Sequence, residues 1–159
     1  MVEVRLLTEK EIFNNEAKLI YFLHMVMSEN LDYEVTKEMC EKYYRDIKNF
    51  IRDGSAILIG AFEGKNLIGF HWGYEKNTPG GKRIHSYFNA IEPEYRGQGI
   101  GKKFWTVLEG EAVKRKVYTI EAMCTYANKV AVNYHLHHGF QIERVQVVKK
   151  LEMGVDDSI

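Results

Sequence analysis

The chain is poor in residues that staple or interrupt a fold. Its 159 residues include only two cysteines, two prolines and two tryptophans. Cys40 and Cys124 stand far apart, with no metal-ligand spacing around either. A disulfide framework or a zinc module is therefore not indicated, and a reduced, cytoplasmic setting is the simplest expectation. Net charge is missing too, since 22 basic residues balance 22 acidic ones. No electrostatic footprint favours nucleic acid or an anionic membrane. No apolar run reaches membrane-spanning length, and the first residues carry no signal-peptide core. Internal repeats, low-complexity tracts and linker-like segments are also lacking. What remains is 45% apolar and 28% charged, ordinary for one globular domain with a sizeable core. That domain is expected over residues 1–152, with 153–159 as a frayed tail.

Periodicity orders the elements. Val2, Val4 and Leu6 alternate with Glu3 and Arg5, a half-buried strand. Thr8 and Glu11 have capping-box spacing, so a helix starts there. Ile12, Leu19, Leu23 and Val26 give it an apolar face as far as about Asn30. A second helix runs from about Thr36 to a stop at Gly54. Residues 56–62 are almost continuously apolar, a strand covered on both faces. Glu63-Gly64-Lys65-Asn66 reads as a hairpin turn into a strand over 67–74. Residues 75–82 read as a mobile loop, and 84–91 as a strand stopped by Pro93. A helix to about Lys116 and a strand over 117–124 follow. Asn128 is a good N-cap for a short helix, with Gly139 as its stop. Residues 140–151 close with strand character. The order predicts an α/β fold, a mixed sheet with helices on both faces.

The most informative stretch is Tyr95-Arg96-Gly97-Gln98-Gly99-Ile100-Gly101-Lys102-Lys103. Glycines at every second position leave backbone N–H groups without Cβ cover, at the mouth of a helix. Such a concavity binds anions, and the helix adds its positive end. Arg96, Lys102 and Lys103 add full charges. The stretch lacks the Gly-Lys-Ser/Thr of a Walker loop and the glycine spacing of a dinucleotide fingerprint.

Arg96-x-x-Gly99-x-Gly101, after a strand and opening a helix, resembles the acyl-CoA loop of the GNAT N-acetyltransferase superfamily. Asn128-Lys129-Val130-Ala131, followed by Gly139-Phe140, resembles that family's Asn-x-x-Ala…Gly-Phe signature, and the element order is similar over nearly the whole chain. The resemblance implies that the fourth and fifth strands splay apart around acetyl-CoA, with a bulge bending the fourth strand. Asn89, Ala90 and Ile91 then face the pantetheine arm. Arg96, Gly97, Gln98, Gly99, Ile100, Gly101 and Lys102 take the diphosphate, and Asn128 hydrogen-bonds the cofactor, caps its helix, or does both.

The family often carries a tyrosine four residues before the glycine of Gly-Phe, to protonate the departing thiolate. Here that position is His135, with Tyr134 about 100° around the helix. The acid is His135, Tyr134 or water; an imidazolium donates readily because its ordinary pKa is about 6.5. His137 and His138 read as exposed helix-end residues. No carboxylate or cysteine lies at ligand spacing beside them, so no metal is expected. His85 occupies roughly the place of a glutamate base in some relatives; alternation puts it with Tyr87 and Asn89 on one face. It is otherwise a polar residue at a strand end; Glu92 is a second candidate base or an exposed turn residue, and an ordered water chain could serve with no dedicated base. Cys124 reads as a buried small hydrophobe.

The implied reaction is direct transfer of acetyl from acetyl-CoA to a primary amine, small or peptidic. Trp72, Tyr74, Tyr87 and Tyr33 could wall an aromatic pocket. The acidic link Glu29-Asn30-Leu31-Asp32-Tyr33-Glu34 is either a solvated loop or a lip that attracts a cationic amine. The alternative is a non-catalytic acyl-CoA sensor with the same fold. The family often forms homodimers; the sequence itself does not settle this.

Overall fold

The computed structural model describes residues 1–151; the expected frayed tail lies outside the described residues. Five strands form one sheet in the order β1-β2-β3-β4-β5. These are β1 (Val2–Leu6), β2 (Ala56–Glu63), β3 (Asn66–Thr78), β4 (Gly81–Ile91) and β5 (Ile120–Ala122). The first four pair antiparallel, and β5 lies parallel to β4. Helices α1 (Glu9–Asn14), α2 (Glu16–Asn30) and α3 (Lys37–Arg52) cover one face, where Phe22, Leu23, Tyr44, Ile47, Phe70 and Trp72 pack. Helix α4 (Ile100–Lys114) covers the other face with Ile100, Phe104, Trp105 and Leu108 against Ile57, Ile59 and Ile68. Short helix α5 (Lys129–His137) joins that second layer through Tyr134. Each fully buried large apolar side chain contributes about 1.5–3 kcal/mol, so the two layers are what hold the sheet.

Three expectations change. The helix expected from Thr8 to Asn30 is broken at Asn15, whose φ of −106° and ψ of 20° leave the helical range. Its side-chain amide donates to Glu11 O at 2.8 Å, the local competition that makes asparagine a helix breaker. The expected mobile loop over 75–82 is instead the end of a long hairpin: β3 runs to Thr78, β4 starts at Gly81, and the two residues pair across a Pro79-Gly80 turn. Its side chains are charged because the arm outreaches the core, and Lys82 donates to Glu75 across it at 2.6 Å. The final strand over 140–151 does not form. Edge strand β5 offers only three residues for pairing, and Ile142, Val145, Val147 and Val148 stay exposed.

The start of α1 is fixed by charge as well as by capping. Thr8 Oγ1 accepts from Glu11 N–H at 3.3 Å, and Glu11 accepts from Thr8 N–H at 2.9 Å. The Arg5 guanidinium grips the same carboxylate with contacts of 3.0 and 2.6 Å. Arg5, then the Thr8 backbone, hold Glu11 down to about 2. Glu11→Gln should therefore lower stability by about 1–2 kcal/mol near neutral pH. A carboxyl held below its ordinary value of about 4.3 contributes fully above that value, and the contribution fades as pH falls toward about 2. Denaturant unfolding of both proteins at neutral and strongly acidic pH checks this: the difference between them should close in acid.

Candidate active site

Parallel pairing between β4 and β5 covers only Ile84↔Ile120, His85↔Glu121 and Ser86↔Ala122. Beyond Ser86 the strands part. At the same point β4 bulges: Trp72 faces Phe88 while Gly73 faces Ser86, leaving Tyr87 as the extra residue. The splayed strands and the bend are thus both present. The bulge also changes which residues share a face. His85 stays with Tyr87, their rings 5.6 Å apart, but Asn89 pairs with His71 and falls on the α4 side. The expected single face of His85, Tyr87 and Asn89 is split by the inserted residue.

Backbone direction follows from the ladder. Glu92 N–H donates to Ile68 O on β3. Alternation then turns Ala90 toward β3 as well, and Asn89 and Ile91 toward the side that β5 has left. The Ile91 carbonyl there accepts from Arg96 Nε at 2.9 Å. Arg96 does not reach into the glycine-rich bend: its guanidinium also donates to Glu29 at 2.8 Å.

The bend itself is open. Gly97 and Gly99 have φ of 76° and 77°, the left-handed region that glycine enters without penalty. Among the described residues, the backbone N–H groups of Gly97, Gln98, Gly99, Ile100, Gly101 and Lys102 meet no backbone acceptor. The first bond into the helix is from Lys103 to Gly99, at 3.2 Å. Ile100 is buried and anchors the turn, while the Lys102 side chain is exposed. Six unpaired amides thus stand at the positive end of a 15-residue helix, an arrangement suited to an anion.

Asn128 caps α5, accepting from Ala131 N–H at 3.1 Å. Its amide nitrogen also donates to Asn30 Oδ1 at 2.9 Å, which ties α5 to the end of α2. The acidic link therefore lies beside the β5–α5 loop, with Asp32, Tyr33 and Glu34 exposed. Cys124, expected to be buried at the end of the fifth strand, is exposed in that loop, beyond β5; Cys40 is the buried one. Among the described residues no group of three or more His, Cys, Asp or Glu is placed to hold a metal ion. No described helix is long and apolar enough to cross a membrane.

The candidate acids and bases differ sharply in setting. His85 is 4% exposed, and its Nδ1 lies 2.9 Å from Glu121 Oε1. Glu121 on β5 escaped the sequence reading. Partial burial opposes its ionisation, but contacts from Lys76 and His85 outweigh this and hold it at about 2. An ionised carboxylate only accepts, so His85 Nδ1 carries a proton in this pair. The only sequence hint of Glu121 was an acidic residue in an otherwise apolar strand.

His135 is half-buried and its Nδ1 is 2.7 Å from Ala131 O, which again fixes the proton on Nδ1 and frees Nε2. Its ring lies 5.8 Å from Trp105 and 5.2 Å from Phe140. Tyr134 points elsewhere. Its phenol is buried with no hydrogen-bond partner, and burial pushes it upward. A Cβ at Gly101 would come within 2.6 Å of that phenol oxygen. The third glycine of the bend is thus required by close approach, not by backbone angle. Fully buried His71 was also missed; it contacts Trp105 and Phe104, and burial holds it down to about 3.

The sequence model of the acetyltransferase (GNAT) family matches residues 22–140. This chain belongs to that family. It is 26% identical over 98 residues to a mycothiol acetyltransferase of Propionibacterium freudenreichii subsp. shermanii. The match covers 60% of this chain and 30% of that one, so the chain spans about a third of its curated relative. Among solved structures it is similar to a predicted acetyltransferase with acetyl-CoA from Clostridium acetobutylicum. There the TM-score is 0.75 at 18% identity, covering 93% of this chain and 96% of that one. An aminoglycoside antibiotic 6'-N-acetyltransferase from Acinetobacter baumannii has a TM-score of 0.73 at 14% identity, covering 97% and 100%. These two structures support the fold.

The Gly101–Tyr134 contact yields a specific expectation. Gly101→Ala should destabilise the protein by about 1–3 kcal/mol through overpacking. Tyr134→Phe removes the clashing oxygen, so the double variant should recover most of that loss. Thermal melts of the two single variants and the double variant measure the coupling; additive losses would show that the contact is not what constrains Gly101.

Proposed function

We propose that this chain transfers an acetyl group from acetyl-CoA to a primary amine. The observation that carries this is the row of six free amides at residues 97–102, next to the strand edge that β5 abandons. A diphosphate fits the amides, and an amide-bearing arm fits the outward backbone groups of Asn89 and Ile91. Acetyl-CoA supplies an activated thioester; the rest is positioning and charge stabilisation by the protein. Lys102 adds charge at the diphosphate, while Arg96 acts by bracing Ile91 against Glu29. Asn128 holds α5 against α2 beside the arm.

His85 Nε2 receives the proton of the attacking amine, directly or through water, with Glu121 fixing its tautomer. Backbone N–H groups of β4 stabilise negative charge on the thioester oxygen as the new C–N bond forms. The C–S bond then breaks, and His135 in its protonated form gives its Nε2 proton to the thiolate. Tyr134 is set aside as the acid because its phenol is packed against Gly101.

Calorimetry with acetyl-CoA tests the first half. Gly99→Val should weaken binding at least about tenfold, since a side chain at φ 77° costs about 1–2 kcal/mol and covers the amides. CoA release against a panel of amines tests the second half. His85→Ala should lower kcat about a hundredfold or more, while Glu121→Gln should lower it less and leave KM for acetyl-CoA unchanged. Absence of acetyl-CoA binding overturns the proposal. Binding without release against any amine returns the chain to an acyl-CoA sensor.

A further inference from the structure

The hairpin arm of β3 and β4 contains a pairing that the arm's own stability does not explain. Lys76 on β3 stands directly opposite Arg83 on β4. Like charges set across a ladder repel and destabilise it. The preceding residues, Glu75 and Lys82, show the ordinary solution: on the other face they pair as opposite charges, at 2.6 Å. Two cations side by side on one face need an anion from outside the arm.

Glu121 of β5 is that anion. Its register partner is His85, two residues beyond Arg83 and so on the same face of β4. The Lys76 ammonium contacts Glu121 Oε1, and Arg83 Nη1 reaches Oε2 at 3.3 Å. His85 Nδ1 takes the remaining place, 2.9 Å from Oε1. Both oxygens of the carboxylate are held, so turning it would break a contact on either side. Partial burial opposes the charge of Glu121, yet its contacts with Lys76 and His85 keep it ionised.

A second carboxylate fixes the clamp from the far side. Glu143, on the chain that follows α5, meets the Arg83 guanidinium in a fork with contacts of 2.6 and 2.8 Å. A bidentate pair of this kind sets geometry as well as charge. Glu143 thus decides which way Arg83 faces, and it offsets the second positive charge. Two cations and two carboxylates leave the cluster neutral at the edge of the imidazole.

The other groups facing His85 do not disturb this balance. Tyr74 on β3 and Tyr87 on β4 set their rings 5.2 and 5.6 Å from it, and burial pushes both phenols upward. On α3, Tyr43 and Asp46 face Tyr87. Asp46 carries a charge, but that charge is the same in every variant of the clamp.

We infer that Lys76 and Arg83 are positioning residues for His85: they clamp the two oxygens of Glu121 and so fix the carboxylate that orients the imidazole, while Glu143 steadies Arg83. Neither cation touches the reacting atoms; both act through Glu121. The role in catalysis rests on His85 being the proton acceptor of acetyl transfer, whereas the clamp on the imidazole does not. The clamp also has a sign. Its cations oppose charging of the ring and its carboxylates favour it, so removing one member of each kind has opposite effects.

Imidazole NMR on the full chain without acetyl-CoA, at low ionic strength, tests this directly. The His85 signals are assigned by their loss in His85→Gln, and their titration midpoint is followed in each variant. Lys76→Met should move the midpoint up by about half a pH unit or more. Glu143→Gln should move it down by a smaller amount. Lys76→Arg keeps the charge and should return the wild-type midpoint. A purely structural role would not give shifts of opposite sign. If Lys76→Met fails to fold, Glu143→Gln and Lys76→Arg decide alone. An unmoved midpoint, or shifts in the same direction, overturns the clamp. The acid limb of kcat/KM for CoA release should follow the midpoints, with KM for acetyl-CoA unchanged. Midpoints that move in opposite directions while this limb stays still would remove His85 as the base and leave the clamp standing.

Discussion

Parallel pairing between β4 and β5 lasts three residues, and the chemistry of the molecule depends on where it stops. A strand edge with unpaired N–H and C=O groups is normally a liability, inviting another strand. Here the edge is short and comes just after a bulge in β4. The insertion of Tyr87 has two effects at once. It ends the β5 pairing, and it puts Tyr87 and Phe88 on the same face, so that β4 shows its aromatic residues to α3 and its outward amides to the gap. One extra residue thus opens a gap lined by backbone groups and turns two aromatic rings to the same face.

Charge is arranged across the sheet with the same economy. The positive end of α4 and its free amides lie on one side. Asp46 and the C-terminal end of α3, with Asp53, lie on the other. Glu121 stands between them at the last paired residues, surrounded by Lys76, Arg83 and His85. With a formal net charge of zero, only this local separation of sign can steer a charged ligand.

The fold was legible wherever local chemistry and packing agree. Thr8 and Glu11 announced their capping box, Asn128 its helix, and Gly97 and Gly99 their left-handed bend. The row of open amides was legible too, because such a row needs glycine and glycine is visible. What was hidden depends on register. Placing His85 and Asn89 on one face assumed a strict two-residue repeat, and a single bulged residue undoes it. Glu121 looks like any acid in a short strand until β4 brings His85 to 2.9 Å. The hairpin arm over 75–82 was hidden for the opposite reason: it extends beyond the core, with a charged pair, Lys82–Glu75, across it, so no apolar alternation marks it.

The exchange of a family tyrosine for His135 becomes intelligible beside His71. Two imidazoles share the space around Trp105, one fully buried on β3 and one half-buried on α5. Burial, reinforced by positive charge on His135, keeps His71 neutral down to about 3. His135 is the half-buried member, on the outer helix. Its Nδ1 is committed to Ala131 O, so the mobile proton is the one on Nε2. A tyrosine in this place would donate from a group whose ordinary pKa is about 10 and would leave a phenolate to be re-protonated. A histidine instead leaves a neutral ring, in a pocket whose second imidazole is already neutral. In the proposed reaction, a histidine here would therefore supply the acid without leaving a buried negative charge.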